Sequence, residues 1–160
     1  MNMNINSIFS IVRNRLYEQY LELIPSIDVN CQNEYVQNLL QEAIASNMDE
    51  IAIDLLKRKI NVNHQDGKGL TSLHYCAQYR NIHIAKLILK NKADVNINDS
   101  YGNNPLWTAV FNAHGDYRMA KLFIEYGADA LNKNKAGRSP IDFAEQIEDT
   151  DMVKILLNKG

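Results

Sequence analysis

Apolar residues recur at helical spacing through the middle of the chain, as at Ile84, Leu87 and Ile88, and polar turn residues interrupt them at regular intervals. The spacing predicts pairs of short helices, such as Leu73 to Tyr79 followed by Ile82 to Lys90. The block that precedes each pair also recurs. Asp66, Gly69, Thr71, Leu73 and His74 are answered thirty-three residues on by Asp99, Gly102, Asn104, Leu106 and Trp107, and again thirty-five further by Asn134, Gly137, Ser139, Ile141 and Asp142. A tail closes each unit: Ile27 to Asn30, Ile60 to Asn63, Ala93 to Asn96 and Ala128 to Leu131. Self-similarity at this period means small units stacked in a row, not a chain wound around one centre.

The recurring letters have physical roles. Gly69, Gly102 and Gly137 fall at turn positions where a positive φ is expected, which a Cβ disfavours. Thr71 and Ser139 stand just before a helix, where a hydroxyl caps unpaired backbone N–H groups at about 1 kcal/mol each. Pro105 and Pro140 follow at the first helical position, where a missing N–H costs nothing. Ala77, Ala109 and Ala144 are small enough for neighbouring helices to approach, and Leu87, Leu89, Leu122, Ile124 and Leu156 fill the layer between units.

These residues resemble the ankyrin repeat, which opens Asp-x-x-Gly-x-Thr-Pro-Leu-His and closes Gly-Ala-Asp-Val-Asn. The unit from Asp66 to Asn98 matches it with Ser72 in place of Pro and Lys92 in place of Gly. The next keeps Pro105 and Leu106, has Asn104 for Thr and Trp107 for His, and carries two extra residues within Asn112 to Asp116, between its helices. The resemblance implies an all-α solenoid of four to five helix-turn-helix units in one domain over 1–160. Its expected parts are an N-terminal capping half-unit (1–32, with one helix from Ser7 to Leu23), a degenerate repeat with Val36 in place of the head glycine (33–65), repeats at 66–98 and 99–133, and a C-terminal capping repeat (134–160).

Composition narrows the function. The net charge of −2 supplies no clustered basic face for nucleic acid. Lys57-Arg58-Lys59, the densest positive run, reads as the solvated end of a helix. No apolar run reaches the ~18 residues that span a bilayer, and the N-terminus lacks the order of a secretory signal. Cys31 and Cys76 lie in different units and read as buried free thiols, which fits a reducing, cytoplasmic address.

Nothing assembles a catalytic, cofactor or metal site. His64, His74, His83 and His114 are scattered. His74 and Cys76 point to different sides of a helix, and the resemblance assigns His74 to tying turn to helix. Glu148, Asp149 and Asp151 form a polar bend opening the last helix. A non-enzyme is expected; the remote alternative is a site at the insertion using His114, Asp116 and Trp107.

Recognition through a surface remains. The resemblance implies an extended concave face built from hairpin tips and the exposed flank of each first helix. Tyr35, Lys68, Leu70, Tyr79, Tyr101, Asn103, Trp107, Phe111, Asn112 and Arg138 project there, along with Gln37, Gln78, Lys135 and Gln146. Aromatic residues at such positions suit a protein partner, because they bury area with little rotamer entropy. For Trp107 the competing reading is packing against the insertion, and for Tyr101 it is lying flat on the next hairpin. The abundance of Asn, Ile and Lys fits an AT-rich, bacterial genome. Small stand-alone bacterial proteins resembling ankyrin stacks serve as immunity proteins that block a cognate toxin, so that function ranks first, for a chain that is a monomer when free and touches neither membrane nor nucleic acid. A cytosolic scaffold or regulator, or a host-directed effector, is the alternative.

Overall fold

The computed structural model describes residues 3–157. Among the described residues there are ten α-helices: α1 Met3–Arg13, α2 Tyr17–Leu23, α3 Leu39–Ala45, α4 Asp49–Lys57, α5 Ser72–Tyr79, α6 Ile82–Lys90, α7 Pro105–Phe111, α8 Arg118–Glu125, α9 Pro140–Gln146 and α10 Thr150–Leu157. Among the described residues there is no strand, only an isolated antiparallel bridge between Gln32 and Asn38. The odd-numbered helices pack side by side in one row, each on the next, and α4, α6, α8 and α10 form a second row behind them. The chain is an all-α stack of helix-turn-helix units.

Each first helix starts where a side chain can cap it. Asn104 Oδ1 accepts the Trp107 N–H at 3.0 Å, and Pro105 occupies the first helical position. Ser139 and Asp142 cap one another reciprocally ahead of Pro140, as Asn38 and Gln41 do ahead of α3. At α5 the partner is a ring: the Thr71 N–H donates to His74 Nδ1 at 3.0 Å. That fixes the proton on His74 Nε2, which donates to the Asn103 carbonyl of the next unit at 3.0 Å. His74 therefore ties not only turn to helix but one repeat to its successor. Burial lowers its pKa, so it is held neutral.

Two polar ladders flank the helical layers. At the hairpin tips Gly67, Ser100 and Lys135 donate their N–H groups to the carbonyls of Tyr35, Lys68 and Tyr101, at 3.0, 2.9 and 2.9 Å. In the tails the Oδ1 atoms of Asn30, Asn63 and Asn96 accept from the N–H groups of Asn61, Asp94 and Asp129, at 2.9, 2.9 and 2.8 Å. The fourth tail has Leu131 at the ladder position, where no oxygen can continue the series, and that leucine is exposed. Between the ladders, Leu40, Leu73 and Leu106 of the first helices and Ile51, Ile84, Ile88, Phe123 and Met152 of the second are buried. Each such side chain contributes about 1.5–3 kcal/mol of burial.

The N-terminal region differs from the single helix expected over Ser7 to Leu23. It is two helices, α1 and α2, broken at Asn14–Leu16 with Arg15 at φ 61°. The stretch expected to hold a half-unit thus carries a helix pair. Ile8, Phe9 and Val12 of α1 are buried in the common core, and Tyr20 of α2 donates its hydroxyl to Asp54 of α4 at 2.7 Å. The last three residues of the expected C-terminal capping repeat, 158–160, lie outside the described residues. Just before them the surface is apolar, with Leu131, Ile147 and Leu157 exposed.

Candidate partner-binding face

The hairpins over residues 33–37 and 66–70 stand opposite α3 and α5 and leave a groove of about 610 Å³ between them. Tyr35, Val36, Lys68, Leu70, Tyr75 and Tyr79 line it, with Arg13, Glu34, Gln37, Asp66 and Gln78. Of the sequence-predicted face, Tyr35, Lys68, Leu70 and Tyr79 meet here. Tyr35 is 63% and Tyr79 48% exposed, while Leu70 is half-buried.

Part of the groove's polar lining is engaged within the fold. Tyr75 donates its hydroxyl to Asp66 Oδ2 at 2.8 Å and accepts from Gln37 Nε2 at 2.6 Å. Burial raises the Tyr75 pKa, so the phenol stays protonated. Asp66 Oδ1 accepts from the Lys68 and Leu70 N–H groups, which shapes the hairpin. Arg13 is forked onto the buried Glu42 by bonds of 3.1 and 2.9 Å, a charge-assisted pair that raises the arginine pKa. Beside these groups the Tyr75 and Tyr79 rings stack at 6.3 Å between centroids, Tyr35 and Val36 are exposed, and Glu34, Lys68 and Gln78 complete the lining.

Val36 stands out within this wall. Gly69, Gly102 and Gly137 hold the left-handed turn position of their hairpins at φ 76°, 81° and 73°. Val36 holds the same place in the first hairpin at φ 62°, where a β-branched side chain is strained. Its carbonyl is fixed by His64, whose Nε2 lies 2.6 Å away.

The other predicted residues fall into a second region. Trp107 packs on Phe143 of α9, centroids 5.4 Å apart at 44°, and Phe111 meets the same ring at 5.6 Å and 35°. Trp107 thus joins an aromatic cluster that spans two units. Phe111 remains 58% exposed on its flank. Tyr101 is 68% exposed. Asn103 Oδ1 accepts from Asn134 Nδ2 at 2.8 Å, and Asn112 Nδ2 turns back to the Thr108 carbonyl at 2.9 Å, so both side chains serve the fold. Arg138 reaches along the surface to Gln146.

Sequence reasoning did not single out Tyr75, Phe143, Val36 or Arg13 for this face. Tyr75 and Phe143 share one register, directly after His74 and Asp142, and that shared register was the available signal. Val36 was noted only as a missing glycine. At the insertion, His114 is exposed and Asp116 is bound by Arg118 at 2.7 Å, which holds that carboxyl near pKa 2. Among the described residues no group of three or more His, Cys, Asp or Glu side chains is placed to hold a metal ion, and no helix is long and apolar enough to cross a membrane.

Comparison with known proteins adds two matches to family models, one described as ankyrin repeats (many copies) over residues 55–109 and one as ankyrin repeats (3 copies) over 91–160. A putative ankyrin repeat protein of Rickettsia felis is 35% identical over 99 residues, covering 58% of this chain and 42% of that protein. One of Rickettsia bellii is 33% identical over 115 residues, 69% of this chain and 32% of its own length. The nuclear factor NF-kappa-B p105 subunit of Gallus gallus is 29% identical over 151 residues, 91% of this chain but 15% of that protein. The chain spans less than half the length of each of these relatives.

Proposed function

Because the chain belongs to the ankyrin-repeat family, a general protein–protein interaction module, we propose that it is a non-catalytic binding protein that grips a protein partner along its hairpin-and-first-helix face. The observation that carries this reading is the groove of about 610 Å³ along which Tyr35 and Tyr79 are left exposed. Exposed aromatic side chains of that kind gain by being covered with protein surface. Tyr35, Tyr79, Tyr101 and Phe111 are its anchors; Lys68, Leu70 and Arg138 flank them, and Trp107 is their packed support.

Within that class the finer reading is an immunity protein that neutralises a cognate bacterial toxin, working as a monomer in the cytosol. Two features support it. The net charge of −2 suits a basic target such as a nuclease, and the buried thiols of Cys31 and Cys76 are free, as in a reducing compartment. Burial lifts the Cys31 pKa to about 11, which keeps that thiol unreactive.

The test is a pull-down from native lysate with mass spectrometry, followed by binding measurements on Tyr35→Ala with Tyr79→Ala and on Tyr101→Ala with Phe111→Ala. At least one folded double variant should lose tenfold or more in affinity, about 1.4 kcal/mol. Full affinity in both would reject the face. A captured partner with toxic activity that the protein abolishes supports the immunity reading, whereas a non-toxic partner places the chain among scaffolds and regulators.

A further inference from the structure

The net charge of −2 conceals a clustered basic face. On the row of second helices the inward positions are apolar, Ile84, Ala85 and Ile88 in α6 and Met119, Ala120 and Phe123 in α8, and the outward ones are cationic. Lys86 and Lys121 share one register, each next to a buried alanine, and Lys57 and Lys90 share another, at the last positions of α4 and α6. All four are exposed. The ion pairs of this row join Arg58 to Asp54, Arg118 to Asp116 and Lys154 to Asp151, and leave those four lysines free among the described residues. Two further lysines stand where the repeat takes glycine. Gly127 follows α8 in the left-handed conformation at φ 83°, and the matching residues after α4 and α6 are Lys59 at φ 63° and Lys92 at φ 64°. Both side chains are exposed, so the interior gives nothing in return for a backbone that a Cβ disfavours. Helix ends account for Lys57 and Lys90, which complement the dipole, but not for the mid-helix Lys86 and Lys121.

We propose that this face of α4, α6 and α8, separate from the hairpin-and-first-helix face, binds a short acidic segment of a partner protein. Its lysines supply the charge that carboxylates lack, and His83 lies exposed one turn before Lys86. The extent of the field sets the size of the occupant. Neighbouring helices lie about 8–10 Å apart, so about six extended residues cross from α4 to α8. Carboxylates border the field: Glu50 on α4, Glu125 on α8, Asp151 on α10, and Asp94 and Asp129 in the tails are all exposed. A bilayer or a nucleic acid is wider than the field and would press its phosphates against these acids, whereas a short segment fits between them.

The probe is fluorescein-labelled hexaglutamate, titrated against the full chain by fluorescence anisotropy at low ionic strength, where screening is weak. Labelled hexaglutamine is the uncharged control. Hexaglutamate alone should bind, and Lys86→Gln, Lys90→Gln and Lys121→Gln combined should weaken it about tenfold. Lys68→Gln, Lys135→Gln and Arg138→Gln combined remove the same charge from the hairpin face and should weaken it less than about twofold. Lys59→Gly with Lys92→Gly should melt above wild type, because glycine relaxes both turns, and yet bind more weakly. Absence of hexaglutamate binding, equal binding of hexaglutamine, or equal losses in the two triple variants would overturn the site. Full affinity in the paired glycine variant would overturn the part given to Lys59 and Lys92. Tighter association with phosphatidylserine-containing vesicles or with polyuridylate than with hexaglutamate would overturn the choice of a short acidic segment.

Discussion

Ser72 is fully buried at the first position of α5, and its hydroxyl is the buried side-chain polar atom with no hydrogen-bond partner among the described residues. The equivalent positions of the next two units are Pro105 and Pro140, both buried. Replacing Ser72 with proline should therefore stabilise the protein, through two separable effects. Removing an unsatisfied buried hydroxyl is worth about 1 kcal/mol, and restricting the unfolded chain adds about 0.4–1 kcal/mol. The preceding residue already accommodates the ring, since Thr71 is extended at φ −93°, ψ 171°, as a residue before proline must be. The total of about 1.5–2 kcal/mol corresponds to a rise of roughly 3–8 °C in melting temperature for a chain of this size. Urea unfolding followed by far-UV circular dichroism measures the change, with Ser72→Ala alongside to isolate the hydroxyl. Proline should exceed alanine, and alanine should exceed wild type. A folded Ser72→Pro variant with an unchanged or lower midpoint would refute both the unpaired hydroxyl and the equivalence of the three helix starts.

The hairpin glycines should differ in tolerance. Alanine at each carries about 1 kcal/mol of left-handed strain. An added Cβ would also meet the Ser100 nitrogen at 2.8 Å from Gly69 and the Lys135 nitrogen at 3.1 Å from Gly102, but nothing within 4 Å from Gly137. Thermal melts should rank the losses in that order, with Gly102→Val costing more than ~1 kcal/mol; a uniform loss would contradict close packing of the tips. Stability should fall as pH drops below 6.5, because the unfolded state then takes up a proton that the buried His74 resists. Urea midpoints at about pH 8 and pH 5 should show this in wild type and show less of it in His74→Gln, which can cap the helix as Gln41 does. Trp107→Ala and Phe143→Ala should couple by about 0.5–1.5 kcal/mol in a double-mutant cycle, and strict additivity would deny the ring contact.

The helix pairs from Leu73 onward were legible because their apolar period and their caps agree with the fold at every level, so local and tertiary preferences never compete. The break at Asn14–Leu16 was not, because Arg15 takes the left-handed conformation there and nothing in its side chain announces it. Tyr35 and Tyr79 could be read as exposed, since repeat register alone assigns their side. The fate of Trp107 could not, because it depends on Phe143 in another unit, a contact that register permits without requiring. Asn103 and Asn112 illustrate the opposite limit: an amide at a surface position looks available until its bond to a neighbouring asparagine or to its own helix is seen.

The asparagine ladder has a kinetic consequence. Its rungs join residues 31 to 33 apart, each linking one unit only to the next. No stage of assembly has to close a loop much longer than a single unit, so the entropic toll of each step stays nearly constant as the array grows. Ordering can begin at any adjacent pair and spread outward in both directions, and the joint reinforced by His74 is a natural seed.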